Sequence, residues 1–162
     1  MRIGFGYDVH RLASGRKLIL GGVQIPHEKG LEGHSDADVL LHALCDGILG
    51  AMGEGDIGKH FPNTDPRFRG ISSLELLKTV ALMMARQKWH VENLDTTIVA
   101  EQPMIGPYIP QMAEKIAAIL EMPSSRVNIK ATTSEGLGFI GEKKGIVAYA
   151  VVLLKNGRSS EE

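Results

Sequence analysis

Apolar and polar positions alternate from the start of the chain. In Phe5-Gly6-Tyr7-Asp8-Val9-His10 the two rings and Val9 fall on one face of an extended backbone, and Asp8 and His10 fall on the other. The alternation predicts a strand around residues 2 to 10. Leu18-Ile19-Leu20 and Val23-Gln24-Ile25 flank Gly21-Gly22, the pattern of a tight hairpin. From about 36 to 52 the period becomes helical, with Ser35 as N-cap and Asp38 standing where a capping box has Glu. Asp38, His42 and Asp46 then share one helix face at i, i+4 and i+8. A loop rich in Gly, Pro and Asp follows. Ser72 with Glu75 predicts a second capping box and a helix through about Arg86, with Leu74, Leu77, Val80, Ala81 and Met84 as its apolar stripe. Met83 and Met84 read as core filler. Thr96 to Ala100 reads as a buried strand, Pro107 to Leu120 as a helix, and Val127 to Ala131 and Ile146 to Leu154 as the last strands. There is no internal repeat.

Strands interleaved with amphipathic helices predict an α/β fold, an α+β sandwich built on a single mixed β-sheet with helices on one face. The opposite face carries Phe5, Tyr7, Val9, Val147, Tyr149 and Val151, too apolar a set to stand in water, and another subunit is its natural cover. The 162 residues suit one domain over 1–155, followed by a polar tail over 156–162 that is expected to be loose.

Composition narrows the class. Eighteen basic against 19 acidic residues leave no electrostatic footprint of a nucleic-acid binder. The single Cys45 excludes an internal disulfide and a Cys-rich zinc finger, and it reads as a buried helical thiol in a reducing compartment. No apolar run approaches the roughly twenty residues of a membrane span, and no leader pattern opens the chain. A cytoplasmic protein with no membrane partner is expected.

The candidate chemistry begins with Asp8 and His10, which can converge on one point from a strand, while His42 supplies a third ligand from the helix. An isolated Asp-x-His is a common accident. The helix strengthens it, because the stripe around His42 holds acids and an imidazole where a solvated face carries Lys and Glu, and no Lys or Arg occurs between Lys29 and Lys59. A catalytic zinc takes about three such ligands and keeps one position open. Two Gly-punctuated segments suit phosphate: Asp56 to Asp65, and Lys130 to Phe139 with the hydroxyls of Thr132, Thr133 and Ser134. Neither is a Walker A loop. Glu135 beside those hydroxyls would repel a phosphate unless a hard cation such as magnesium lay between them, which implies a second metal. His27, His60 and His90 show no partner pattern.

In order along the chain stand Gly6-Tyr7-Asp8-Val9-His10, Gly21-Gly22-Val23, His34-Ser35-Asp36-Ala37-Asp38-Val39, Gly55-Asp56-Ile57-Gly58, Phe61-Pro62-Asn63-Thr64-Asp65, Ile109-Pro110-Gln111-Met112 and Lys130-Ala131-Thr132-Thr133. With these motifs the chain, from Met1 to about Leu154, resembles the 2-C-methyl-D-erythritol 2,4-cyclodiphosphate synthases of non-mevalonate isoprenoid biosynthesis. The resemblance implies a phosphorus–oxygen lyase. Such an enzyme turns 4-diphosphocytidyl-2-C-methyl-D-erythritol 2-phosphate into the 2,4-cyclodiphosphate and releases CMP, with the substrate's own 2-phosphate as nucleophile. It further implies zinc, or another divalent metal, on Asp8, His10 and His42, and magnesium or manganese on Glu135 with the substrate diphosphate. His34 and Thr133 match the groups that steady the transition state, and Ser35 assists them. Asp56, Gly58 and the run Phe61, Pro62, Asn63, Thr64 and Asp65 match the grip on the methylerythritol and its phosphate, with Asp46 nearby. Ala100, Glu101, Gln102, Pro103, Met104, Ile105 and Gly106 with Thr132 match the cytidine pocket, and Val9, Ile57, Ser134 and Phe139 count among the substrate-binding residues. The family is a homotrimer that packs its sheets around a threefold axis and has active sites between subunits, which agrees with the uncovered face.

The chain departs from the family pattern in three places. Met104 stands where many relatives have Lys, and Asn63 where Asp is common. Glu142 and Lys144 exchange the usual signs, so that Glu142 opposes a prenyl diphosphate in the trimer's central cavity. Two other readings stay open. One is a zinc-dependent phosphohydrolase, since an open zinc equally activates water. The other is a non-catalytic trimeric binder of nucleotides or prenyl diphosphates.

Overall fold

Two glycines decide how the main sheet meets its first helix. Strand β1 (Arg2–Ser14) carries Gly4 and Gly6 on the face that also bears Asp8 and His10, and helix α1 (Val39–Met52) lies across it. A Cβ on Gly6 would lie 1.7 Å from the Ala43 carbonyl oxygen, and one on Gly4 would lie 1.9 Å from that of Gly47. Strand and helix are therefore in backbone contact, a spacing that any side chain would prevent. On α1 the facing positions Ala43, Gly47 and Ala51 recur at four-residue intervals and are small, while Leu40, Leu41, Leu44, Ile48 and Leu49 fill the surrounding core.

The computed structural model describes residues 1–157. The predicted hairpin is present as β2 (Leu18–Leu20) and β3 (Val23–Ile25), outside the main sheet. The main sheet adds β4 (Lys29–Leu31), β5 (Trp89–Val99), β6 (Val127–Thr132) and β7 (Gly145–Asn156) to β1, in the order β4-β1-β7-β5-β6. Only β5 and β6 run parallel, so the mixed sheet expected from the chain is borne out. Helices α2 (Ile57–His60), α3 (Ser73–Arg86), α4 (Ile109–Ile119) and α5 (Gly138–Gly141) complete the element order. The short elements β4, α2 and α5 fall below the length that periodicity resolves. Asn156 and Gly157, expected in the tail, are tied down, Asn156 pairing with Trp89 and Gly157 N–H donating to the Lys88 carbonyl at 2.9 Å, and the rest of the expected loose tail, 158–162, lies outside the described residues.

Local signals were obeyed where they were closed locally. Ser72 caps α3 by accepting from the Leu74 N–H at 3.3 Å, but Glu75 turns to Lys78 at 2.6 Å and does not complete the box. The first helix differs more. It begins at Val39, because Ala37 sits at φ +57 in the left-handed region and breaks the right-handed path. Its N-cap is Asp38, whose carboxylate accepts from Leu41 N–H at 3.1 Å and from the two hairpin glycines, Gly21 at 3.0 Å and Gly22 at 2.7 Å. Asp38 therefore leaves the His42 face and ties the hairpin to α1. Burial pushes its carboxyl up to about 6, with Asp36 nearby adding to the shift against those three N–H bonds.

The face of the sheet away from the helices is bare. Ile3 is 73% exposed, Phe5 63% and Tyr7 45%, and Val9, Tyr149 and Val151 are exposed beside them. Val147, expected among them, is instead buried. Phe5 and Tyr7 lie against Tyr149, with ring centroids 6.3 and 5.4 Å apart. Cys45 is buried in α1 as expected, and no helix of the described residues is long and apolar enough to cross a membrane.

Gly6→Ala is expected to force α1 off β1, at about 3 kcal/mol of stability or more given the cost of overpacking a tight core. Gly50→Ala, on the same helix with open space around it, is expected to stabilise by roughly 0.5–1 kcal/mol. Denaturant melts of the two variants check both signs, and equal effects would mean that the backbone contact is not what holds α1.

Candidate metal centre

Asp8 and His10 project from β1 onto its helix side, and the close approach of α1 brings His42 over them. The Asp8 Oδ2 lies 2.9 Å from His10 Nε2 and 3.2 Å from His42 Nδ1, and those two nitrogens are 3.1 Å apart. Ligand atoms on one tetrahedral ion at about 2.0–2.1 Å stand roughly 3.3 Å apart, so this triangle is the size that a zinc ion fills.

The proton inventory is more telling than the distances. His10 Nδ1 is 2.8 Å from the Glu32 carbonyl, which can only accept, so Nδ1 bears the hydrogen and Nε2 presents a lone pair. His42 Nε2 lies 3.0 Å from both Ser35 Oγ and Ser73 Oγ. Ser73 Oγ donates its own hydrogen to Asp36, and Ser35 Oγ already accepts from Ala37 N–H at 3.1 Å. His42 Nε2 is thereby the donor and its Nδ1 the lone pair. Asp8 Oδ2 is close enough to both rings for charge pairing, yet it is buried with no hydrogen-bond partner. Three electron-pair donors thus face one point with no hydrogen between them. Such an arrangement is repulsive without a cation, and the donor set of one carboxylate and two imidazoles suits zinc.

Electrostatics agree. Burial works to raise the Asp8 carboxyl, but the neighbouring His10 and His42 outweigh it and hold it below the ordinary value. For His10, burial works to lower the imidazole, and Asp8 outweighs it and raises it.

A cavity of about 350 Å³ opens over the triangle. Of the predicted positions, Asp8, His10, His34, Ser35, His42, Ile57, Gly58, Phe61, Pro62 and Asn63 line it together. Sequence reasoning missed Gly33, Phe68 and Leu76 in that wall. Gly33 was findable in hindsight, since a Cβ there would press within 3.0 Å of the His10 ring. His34 Nε2 donates to the Asp65 carbonyl at 3.2 Å, which pins the 61–65 segment over the cavity. Asp65 itself turns outward to Arg67 at 2.6 Å. Asp46 and Asp56 hold α2 in place: Asp46 accepts from Ile57 N–H at 2.7 Å and Asp56 from Lys59 N–H at 3.0 Å. Burial, with Asp56 and Asp8 adding repulsion, holds the Asp46 carboxyl above its ordinary value despite the Ile57 bond. Val9 turns its side chain to the opposite face of β1.

The predicted nucleotide segment forms a second cavity of about 590 Å³, lined by 100–106 with Ala131, Thr132 and Thr133. Glu101 shapes its rim by accepting from the Ser134 N–H at 2.9 Å and hydroxyl at 3.0 Å. Glu135 sits at φ +55, and its carboxylate accepts from the Thr133 hydroxyl at 3.3 Å. Phe139 lies apart from this cavity, in a third one that it shares with Glu142, Lys143 and Lys144. There Glu142 pairs with Lys144, so the exchanged signs still form an ion pair. Neither of the first two cavities is lined by Lys or Arg.

A mixed sheet with an Asp-His-His group between its first strand and its first helix defines an α/β protein with a candidate metal centre. The chain belongs to the YgbB family, whose model matches residues 1–155. It is 63% identical over 155 residues, 96% of this chain and 99% of the relative, to the 2-C-methyl-D-erythritol 2,4-cyclodiphosphate synthase of Geobacter sulfurreducens. It is 57% identical over 156 residues, 96% of this chain and 98% of the relative, to that of Syntrophobacter fumaroxidans. Among solved structures it superposes on a synthase of the same name in a CDP-bound form with a TM-score of 0.87 and 37% identity, covering 95% of this chain and all of the other. The bifunctional IspDF of Campylobacter jejuni gives a TM-score of 0.92 and 42% identity over 96% of this chain, which spans 42% of that longer protein. The resemblance read from the motifs is therefore borne out.

The raised imidazole of His10 sets a pH dependence with a definite sign. In metal-free protein its contribution to stability is fully present below the ordinary 6.5 and is lost as the pH rises through the higher folded value. Zinc needs unprotonated rings, so its affinity is expected to rise over that same span. Thermal melts with and without chelator on either side of pH 6.5 should draw apart as the pH rises, the metal-free protein losing stability while the metal-loaded protein gains it. Parallel curves would mean that His10 is not a ligand.

Proposed function

We propose that this protein cyclises 4-diphosphocytidyl-2-C-methyl-D-erythritol 2-phosphate to 2-C-methyl-D-erythritol 2,4-cyclodiphosphate and releases CMP. The observation that carries this reading is the convergence of three lone pairs, on Asp8, His10 and His42, beneath a cavity with no lysine or arginine in its walls. A polyanionic substrate in such a cavity needs metal to balance its charge. Zinc held by Asp8, His10 and His42 would supply a Lewis acid at a phosphate oxygen.

The chain's own groups do the rest by positioning. An oxygen of the substrate's 2-phosphate attacks the β-phosphorus, a new P–O bond forms, and the bond from that phosphorus to the oxygen bridging to CMP breaks. No protein nucleophile is needed, which suits a chain whose single thiol is buried. Ser35 Oγ accepts from Ala37 N–H and from His42, so its own proton is free to donate to a phosphate oxygen. His34, anchored through Nε2 to Asp65, has Nδ1 left for the ligand. Pro62 and Asn63, with Ile57 and Gly58, bound the space for the methylerythritol.

The 100–106 cavity takes the cytidine, on the precedent of the CDP-bound relative, and Thr133 steadies the transferring phosphate. Glu135 would hold magnesium or manganese, which would supply positive charge to the substrate diphosphate that Met104 cannot provide. Within one chain the two cavities share no lining residue, which supports a homotrimer in which the metal centre of one subunit completes the nucleotide pocket of its neighbour. The apolar face of Ile3, Phe5, Tyr7, Tyr149 and Val151 supports the same assembly. The absence of a membrane-crossing helix in the described residues and the buried, unpaired Cys45 suit the cytoplasm.

Phosphorus NMR of the reaction separates the readings. A cyclic diphosphate with CMP is expected; inorganic phosphate or a linear product would mean a hydrolase, and unchanged substrate a binder. His42→Ala is expected to keep the fold, to lose zinc by metal analysis, and to lower kcat by at least about 10³-fold, the loss of several kcal/mol of charge stabilisation. A variant that keeps both zinc and turnover would remove His42 from the centre.

A further inference from the structure

We propose that Ser73 and Asp36 form a positioning pair that fixes the His42 tautomer and thereby sets the affinity of the metal centre. The inference rests on the metal reading above. Ser73 is the first residue of α3, is fully buried, and lines none of the three cavities described above. Its hydroxyl lies 3.0 Å from His42 Nε2 and donates to Asp36 Oδ1. Because that hydrogen is committed to a carboxylate, the Ser73 oxygen can only accept from the ring. Asp36 is fixed in turn. Its Oδ2 accepts from Ser73 N–H at 3.0 Å, its Oδ1 from Asp38 N–H at 3.2 Å, and its own N–H donates to the Ile71 carbonyl at 3.0 Å. The carboxylate thus orders the serine, the serine orders the imidazole, and His42 Nδ1 is left as a lone pair aimed at Asp8 and His10.

Ser35 cannot substitute for the pair. Its oxygen also lies 3.0 Å from His42 Nε2, but no group orients its proton, so it permits either tautomer. Only the carboxylate-backed serine excludes the wrong one.

The test compares neighbours on one helix. Ser73→Ala is expected to weaken zinc binding by about 10–100-fold in competition with a chelator, the loss usual when an orienting partner of a metal ligand is removed. Ser72→Ala, which removes the N-cap of the same helix, is expected to lower Tm and to leave zinc affinity within about twofold, since it touches no ligand. Nitrogen-15 histidine NMR of the unmodified metal-free protein, recorded above the His10 pKa, is expected to find the His42 proton on Nε2. In Ser73→Ala a population with the proton on Nδ1 should emerge. Equal zinc affinity in native and Ser73→Ala protein, equal weakening by Ser72→Ala, or a native proton on Nδ1 would each overturn the inference while leaving the metal reading intact. Native protein that takes up no zinc would overturn the metal reading itself.

Discussion

The backbone contact between β1 and α1 is the constraint on which everything else rests. With ordinary side chains between them, a helix stands about 10 Å from the sheet it covers, the thickness of a packed layer. Gly4 and Gly6 opposite Ala43, Gly47 and Ala51 remove that layer along one line. The consequence lies at the end of the line, where the same strand face continues into Asp8 and His10 and the same helix carries His42 one residue before Ala43. Shortening the gap at the glycines lets a helix side chain and two strand side chains meet at about 3 Å, close enough to share an ion. The convergence of these three side chains is a property of the packing before it is a property of the residues themselves.

Around that point the outer nitrogens of both rings have partners. Glu32 takes the outer proton of His10, and Ser35 with Ser73 takes that of His42. Asp38 absorbs the N–H groups of the hairpin turn and of the start of α1. Three different segments, ending β4, preceding α1 and beginning α3, are thereby recruited to orient two rings. Buried polar groups left unpaired cost about 1–3 kcal/mol each, so the unpaired Asp8 oxygen at the centre marks where the folded chain still needs a partner.

How much of this was legible follows the range of the interactions. The two faces of β1 could be read directly, because the period of two is local and strong. The cap of α3 was likewise readable, since Ser72 answers to Leu74 two residues on. The start of α1 was not. Ser35 and Asp38 both satisfy the local grammar of an N-cap, and the choice was made by Gly21 and Gly22, 16 to 17 residues away, which claim the Asp38 carboxylate. Asp36 and Ser73 were unremarkable for the same reason: their contact spans 37 residues. Gly4 and Gly6 read as weak strand residues until the helix that needs their missing Cβ atoms is in place. The candidate metal ligands stand out in the sequence because their side-chain chemistry is unusual, whereas the residues that orient them are common types made meaningful only by the fold.

The other face of β1 completes the logic. The ladder pairs Tyr7 with Tyr149 and Asp8 with Ala148, so adjacent residues of one strand belong to two different tasks. Tyr7 and its neighbours stand exposed with Ile3 and Phe5, while Asp8 is drawn beneath α1. A slip of one residue would put carboxylate and imidazole on the apolar face and rings against the helix backbone, where only glycine fits. The glycines forbid that slip. Ten consecutive pairings with β7, from Arg2 to Arg11, hold the register over the whole length of both tasks. An exposed apolar face and a polar face that could hold a cation are thus written into alternate residues of a single strand. The geometry of each is only as secure as the ladder that both share.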